Sequence, residues 1–135
     1  MIATLDASVA VALVVDEPGS RAAADATAGR ELLVPSAFWV EVSNGLVRKV
    51  RMGEASREDA ADGFNLLRRL VERTVPTEPL GPVAIALALD LDHTVYDCFY
   101  LAAAIAHGAP LLTADRALHA AATEAGYGAA IVLVG

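Results

Sequence analysis

Short, largely apolar runs alternate with helical stretches along this chain, and that alternation limits the folds open to it. Ile2–Leu5, Glu31–Val34, Pro110–Thr113 and Ile131–Val134 read as strands, with a further strand expected at Val75–Thr77. Between them the starts and stops of helices are explicit. A helix over Ala7–Val15 is stopped by Pro18-Gly19, and Ser20 is placed to cap a short helix to Ala28, closed by Gly29. Pro35-Ser36 opens a long helix to about Arg51, with Gly53 beyond its end. Ser56, followed three residues on by Asp59, makes a capping-box pattern that starts a helix to about Arg73. Pro82 suits the first turn of a helix ending near Leu91, Thr94 caps one that ends at Gly108, and Asp115–Ala125 is the last. Buried strands joined by helices make a parallel sheet covered on both faces. The expected fold is α/β with a central parallel sheet, in one domain over residues 1–135, a length that a single core serves.

Hydrophobic residues make up 56% of the chain and charged residues 20%, which excludes intrinsic disorder. Apolar runs such as Val9–Val15 and Cys98–Ala106 fall short of the roughly 18–20 residues of a membrane span. No basic segment precedes an apolar stretch at the N-terminus, so no signal peptide is expected. The single cysteine, Cys98, fits a reducing, cytoplasmic compartment, and its burial without a cation argues against a reactive thiolate. With no cysteine cluster and with His93, His107 and His119 scattered, a structural zinc site is not expected. The net charge of −7 argues against a nonspecific nucleic-acid coat protein. Seven of the ten basic residues nevertheless lie between Arg48 and Arg73, a local basic rim on an acidic body.

Four acids stand out. In an open parallel sheet the functional crevice lies at the carboxyl ends of the strands, and Asp6 and Asp115 follow two of the apolar runs directly. Each also begins a helix, so each is a natural N-cap. Glu41 and Asp97 are harder to explain that way. Glu41 sits amid Phe38, Trp39, Val40, Val42 and Leu46, and Asp97 leads into Cys98-Phe99-Tyr100-Leu101-Ala102. A carboxylate in such apolar surroundings is paired, protonated or bound to a metal. No Lys or Arg occurs between Val75 and Arg116 to pair with Asp97 locally. Two unit charges ~5 Å apart at an effective dielectric of ~20 repel by roughly 3 kcal/mol, so four converging carboxylates call for a cation. Without a His or Cys ligand set the donors are oxygens, which suit Mg²⁺, with Mn²⁺ as a substitute. Metal-assisted phosphodiester hydrolysis is the chemistry such a site supports.

The motifs around these acids carry a family resemblance. Leu5-Asp6-Ala7-Ser8-Val9, Val40-Glu41-Val42-Ser43-Asn44-Gly45-Leu46, His93-Thr94-Val95-Tyr96-Asp97-Cys98-Phe99-Tyr100-Leu101-Ala102 and Leu112-Thr113-Ala114-Asp115-Arg116-Ala117-Leu118, in this order across the whole chain, resemble the PIN-domain ribonucleases, in particular VapC-type toxins. The resemblance implies a three-layer α/β/α domain and a Mg²⁺-dependent endoribonuclease that cuts RNA, is silenced by a cognate antitoxin and forms a homodimer. It implies Asp6 and Asp97 as principal metal ligands, completed by Glu41 and Asp115. Asn44, one turn beyond Glu41, is a candidate to orient it or a substrate. Thr113 and Ser8 are candidate supporting donors, and Arg116 a candidate phosphate contact.

Other readings stay open at this point. A catalytically silent binding domain could keep the same acids. A phosphotransferase with Asp6 as nucleophile would want an acid two residues later, where Ser8 stands, and a strand-end lysine, whereas the only lysine is Lys49. His93 is a minor candidate for a general base, and Phe38, Trp39, Phe99 and Tyr100 are expected in the core. Apolar faces over Ala10–Val15 and on the Glu41 and Ser56 helices are the expected dimer surface, with an antitoxin segment near the Arg48–Arg73 helices and an antitoxin arginine entering the acidic pocket.

Overall fold

In the computed structural model, which describes residues 1–135, the apolar runs become β1 (Ile2–Leu5), β2 (Glu31–Pro35), β3 (Val71–Val75), β4 (Leu111–Thr113) and β5 (Ile131–Leu133). They form one sheet in the order β3-β2-β1-β4-β5, with every neighbouring pair parallel. The helices are α1 (Ala7–Val14), α2 (Ser20–Thr27), α3 (Phe38–Arg51), α4 (Arg57–Leu70), α5 (Gly81–Leu91), α6 (Val95–His107) and α7 (Arg116–Ala122). Right-handed crossovers send α1–α4 to one face of this sheet and α5–α7 to the other, because the strand order runs one way from β1 and then returns past it. The core is apolar from end to end, with Leu5, Leu33, Val34, Phe38, Leu67, Leu101, Leu111 and Leu112 fully buried. No helix is long and apolar enough to cross a membrane.

Local chemistry explains most boundaries. The capping box forms, with Ser56 N–H donating to Asp59 Oδ2 and Asp59 N–H to Ser56 Oγ, each at 2.9 Å. Gly108, at φ +59, ends α6 in the left-handed conformation that glycine adopts without steric cost. Several boundaries depart from the sequence reading. The helix expected to reach Arg73 ends at Leu70, and the strand expected at Val75–Thr77 lies at Val71–Val75. Val71 adopts extended backbone directly after the last helical turn, and Pro76, which has no N–H for the ladder, ends the strand. Ser20 is the first residue of α2 rather than its cap, and its hydroxyl donates to Val15 O while accepting from Glu17 N–H. α3 begins at Phe38, just past Pro35-Ser36, and Thr77, from beyond the end of β3, accepts the Ala37 N–H at 2.8 Å.

The α1 part of the expected dimer surface is covered within the chain. Val9, Ala10, Val11, Ala12 and Val15 are buried against α2, α3 and α4 within one chain. Large apolar side chains are left in solvent on α3 (Val40, Val47) and at the end of α4 (Leu70), and also on α5 (Val83, Ile85, Leu89) and at Tyr96.

Close packing of α1 on α3 depends on Gly45. A Cβ at this position would stand 2.9 Å from Val11 Cγ2, inside van der Waals contact, so the glycine sets how near α3 lies to the start of α1. We predict that Gly45→Ala destabilises the protein by about 1 kcal/mol in urea unfolding, the helix-propensity gain of about 1 kcal/mol being outweighed by overpacking of roughly 1–3 kcal/mol. Gly81→Ala, which meets open space, is the control and is neutral or stabilising.

Candidate metal centre

Asp6, Glu41, Asp97 and Asp115 line one open cavity of about 750 Å³ at the carboxyl ends of β1 and β4. The strand order reverses between these two strands, where α/β sheets leave a crevice. The register carries the arrangement: Leu5 pairs with Leu112, so Asp6 and Thr113 lie side by side at the sheet end. Thr113 Oγ1 donates to Asp6 Oδ2 at 2.9 Å in a fully buried contact, and Ser8 Oγ donates to the same oxygen at 3.1 Å. Asp6 is the most buried of the four acids, at 8% exposure.

Capping and site-forming prove compatible. Asp6 Oδ1 accepts the Ser8 N–H at 3.4 Å as the N-cap of α1, and Asp115 Oδ1 accepts the Leu118 N–H at 3.0 Å as the N-cap of α7. The Asp115 cap leaves its other oxygen without a capping bond, while the other Asp6 oxygen is held by Thr113 and Ser8. Thr113 ties the two together, because its hydroxyl also accepts the Asp115 N–H at 3.1 Å.

Glu41 and Asp97 are only partly buried, not enclosed as their apolar neighbours suggested. Their helices each present one edge to the cavity, and Val40 and Tyr96 beside them face solvent. Glu41 is held by a residue the sequence reading assigned to the core. Tyr100, itself 1% exposed, donates its hydroxyl to Glu41 Oε2 at 2.7 Å. A tyrosine one turn after an aspartate on a buried helix needs a partner for its hydroxyl, and that was the available signal. Asn44 also lines the cavity but has no side-chain hydrogen bond to Glu41, so orienting Glu41 falls to Tyr100. Arg116 is exposed and outside the lining, whereas Arg48 is the guanidinium at the rim. Phe38 and Tyr100 are buried, and Trp39 and Phe99 pack at the core's edge.

His93, expected only as a minor general-base candidate, stands beside two of the acids. Its Nε2 lies 2.9 Å from Asp97 Oδ2 and 3.5 Å from Asp115 Oδ2. Thr94 Oγ1 makes a second contact to Asp97 Oδ2 at 3.1 Å. One ligand atom each from His93, Asp97 and Asp115 falls within 4.8 Å of the others, a spacing at which an ion could be shared.

No lysine or arginine forms an ion pair with any of the four acids; Lys49 bridges Glu17 and Glu54 instead. The electrostatic consequence is visible in the acids themselves. Burial, then the neighbouring Asp97 charge, raises the pKa of Asp6 against the lowering effect of its hydrogen bonds. Burial also raises Glu41, opposed by the Tyr100 hydrogen bond and reinforced by the Asp6 and Asp97 charges. Burial pushes the Cys98 thiol up to about 11, which leaves it protonated and unreactive. Hard oxygen donors with one imidazole, lacking a protein counter-charge, fit a divalent cation.

A PIN domain family profile matches residues 3–124. The chain is 37% identical over 133 residues to Ribonuclease VapC12 of Mycobacterium tuberculosis, in strains CDC 1551 / Oshkosh and ATCC 25618 / H37Rv, covering 96% of this chain and 97% of that protein. Among solved structures, VapBC2 from Rickettsia felis, bound to a DNA fragment from their promoter, aligns with a TM-score of 0.71 at 13% identity over 100% of both chains. PAE2754 from Pyrobaculum aerophilum aligns with a TM-score of 0.68 at 23% identity, over 97% of this chain and 83% of that one. These two structural likenesses are likenesses of fold.

The raised carboxyls make the metal-free protein pH-sensitive. Asp6 and Glu41 bind protons more tightly folded than unfolded, so between the ordinary carboxylate range near pH 4 and their raised folded values the folded state holds the extra protons. Stability contributed by these groups is therefore present at the low end of that window and lost as pH rises through it. In EDTA, the melting temperature of Asp6→Asn should depend less on pH than that of the unmodified protein between pH 4 and neutrality, and should be the higher of the two at neutral pH. Parallel curves would contradict this origin of the shift.

Proposed function

The chain belongs to the PIN-domain family, and on that premise we propose that it is a Mg²⁺-dependent endoribonuclease, the toxin of a toxin–antitoxin pair, with Mn²⁺ able to substitute. The observation that carries the reading is the set of four carboxylates on one cavity with no lysine or arginine paired to them. Identity of 37% to a protein named as a ribonuclease, across nearly the whole of both chains, supports the same activity here.

In this reading Asp6, Asp97, Glu41 and Asp115 hold the cation. When bound, Mg²⁺ supplies Lewis acidity that activates water and stabilises negative charge on the scissile phosphate and leaving oxygen. The protein's part is positioning. Thr113 and Ser8 fix Asp6, Tyr100 fixes Glu41, and the capping bond to Leu118 N–H fixes Asp115. Arg48 and Asn44, both exposed at the rim, are placed to meet an RNA phosphate and its neighbouring sugar or base. The mouth is open, as a polymer substrate requires.

A cognate antitoxin completes the reading, with a segment along α3 and α4 near Arg48–Arg73 and a cationic side chain as the natural plug for an acidic hollow. A homodimer is supported by the uncharged side chains on the outer face of α5, Val83, Ile85 and Leu89, the last 78% exposed.

The test is cleavage of structured RNA with Mg²⁺ against EDTA. Mg²⁺-dependent cleavage that falls at least ~100-fold in Asp97→Asn and Asp6→Asn is expected, consistent with loss of a metal ligand. Cleavage in EDTA, or full activity in Asp6→Asn, would overturn the assignment; a protein that binds RNA and Mg²⁺ but never cuts would be a silent binding domain. Tyr100→Phe keeps the ring packing and removes only the hydroxyl, and is expected to lower cleavage by roughly 10–100-fold while the protein stays folded.

A further inference from the structure

His93 lies outside the cavity lining but stands against two of its acids, Asp97 and Asp115, and the four-carboxylate reading leaves it without a task. It follows Asp92, whose φ of +50 turns the chain sharply at the end of α5, and precedes the first turn of α6. The side chain is 17% exposed, and its Nε2 meets carboxylates from two separate elements, Asp97 on α6 and Asp115 at the start of α7. A histidine that served only to steady Asp97 would need one of these contacts. Thr94 Oγ1 already supplies Asp97 Oδ2 with a second donor.

The spacing fits shared coordination. An octahedral ion with bonds of about 2.1 Å sets adjacent ligand atoms about 3 Å apart. The two His93 separations, 2.9 and 3.5 Å, straddle that value, and the three ligand atoms lie within 4.8 Å of one another. Donor chemistry then decides which ion gains. Mg²⁺ takes oxygen ligands almost exclusively; Mn²⁺ shares its preference for carboxylates but, as a first-row transition ion, binds an imidazole more readily than Mg²⁺ does.

We propose that His93 is a metal ligand which, with Asp97 and Asp115, gives the acidic cavity a nitrogen donor and makes it favour Mn²⁺ over Mg²⁺. The proposal rests on the reading that these acids hold a divalent cation. It adds a ligand outside the four-carboxylate set and reverses the order of preference between the two ions.

The experiment is Mn²⁺ binding to the metal-free, full-length protein followed by electron paramagnetic resonance. The free-ion signal gives the affinity, competition with Mg²⁺ gives the ratio of affinities, and pulsed measurement reports ¹⁴N coupling from a coordinated ring nitrogen. Nitrogen coupling is expected in the unmodified protein and is expected to vanish in His93→Gln. In that variant Mn²⁺ affinity should fall about tenfold or more and Mg²⁺ affinity by less. Bound Mn²⁺ without nitrogen coupling in the unmodified protein would overturn the proposal and leave the carboxylate reading standing. So would a variant that weakens both ions equally, because His93 would then act only by orienting Asp97. No bound Mn²⁺ at all in the unmodified protein would remove both.

Discussion

Mutual repulsion among carboxylates that the fold brings to one hollow is the constraint around which this molecule is organised. The sheet places Asp6 and Thr113 side by side at the ends of β1 and β4, and α3 and α6 bring Glu41 and Asp97 to the same cavity. Elsewhere the protein pairs charge in the ordinary way, as Lys49 does with Glu17 and Glu54. At the cavity it does not, and burial and like charge raise Asp6 and Glu41 above the usual carboxylate range. Such an arrangement costs stability in the isolated protein, which is the usual signature of a site kept for function.

The fold limits that cost by fixing the acids with local hydrogen bonds. Asp115 caps α7 with Oδ1 and turns Oδ2 toward His93, whereas Asp6 caps α1 with Oδ1 and is held at Oδ2 by Thr113 and Ser8. Thr113 uses one hydroxyl twice, donating to Asp6 and accepting from the Asp115 N–H, so the ends of two strands are locked at a fixed separation. Tyr100 reaches from the core to hold Glu41 across the end of the sheet. Gly45 permits the close approach of α3 to α1 that brings Glu41 toward Asp6. Rigid elements rather than loops therefore carry most of the site.

Much of this was legible in the residues. Unbroken apolar runs followed by helix starts gave the parallel sheet, and acids directly after two of those runs marked the crevice. Legibility failed where the signal depended on partners distant in sequence. Thr77, forty residues away, accepts the Ala37 N–H where α3 begins, a partner that no local pattern around Pro35-Ser36 shows. Tyr100 and His93 looked like core and helix-entry residues, because nothing in a linear pattern shows that one hydroxyl and one imidazole point at carboxylates. The β3 boundary was misplaced because α4 runs into the strand without an intervening turn, and the charged Glu72 and Arg73 of an edge strand hide its pattern. The apolar run of α1, expected to be left over for a dimer, is covered within the chain, because apolar length alone does not say which side of α1 the other helices cover.

Anomalous scattering from crystals soaked in Mn²⁺ tests the organising idea most directly, since it needs neither substrate nor partner. The account predicts a strong peak within bonding distance of the Asp97 carboxylate and of at least one of Asp6 and Asp115, with the four acids where they stand here. The same four side chains in place, at saturating Mn²⁺, with no peak between them would contradict it.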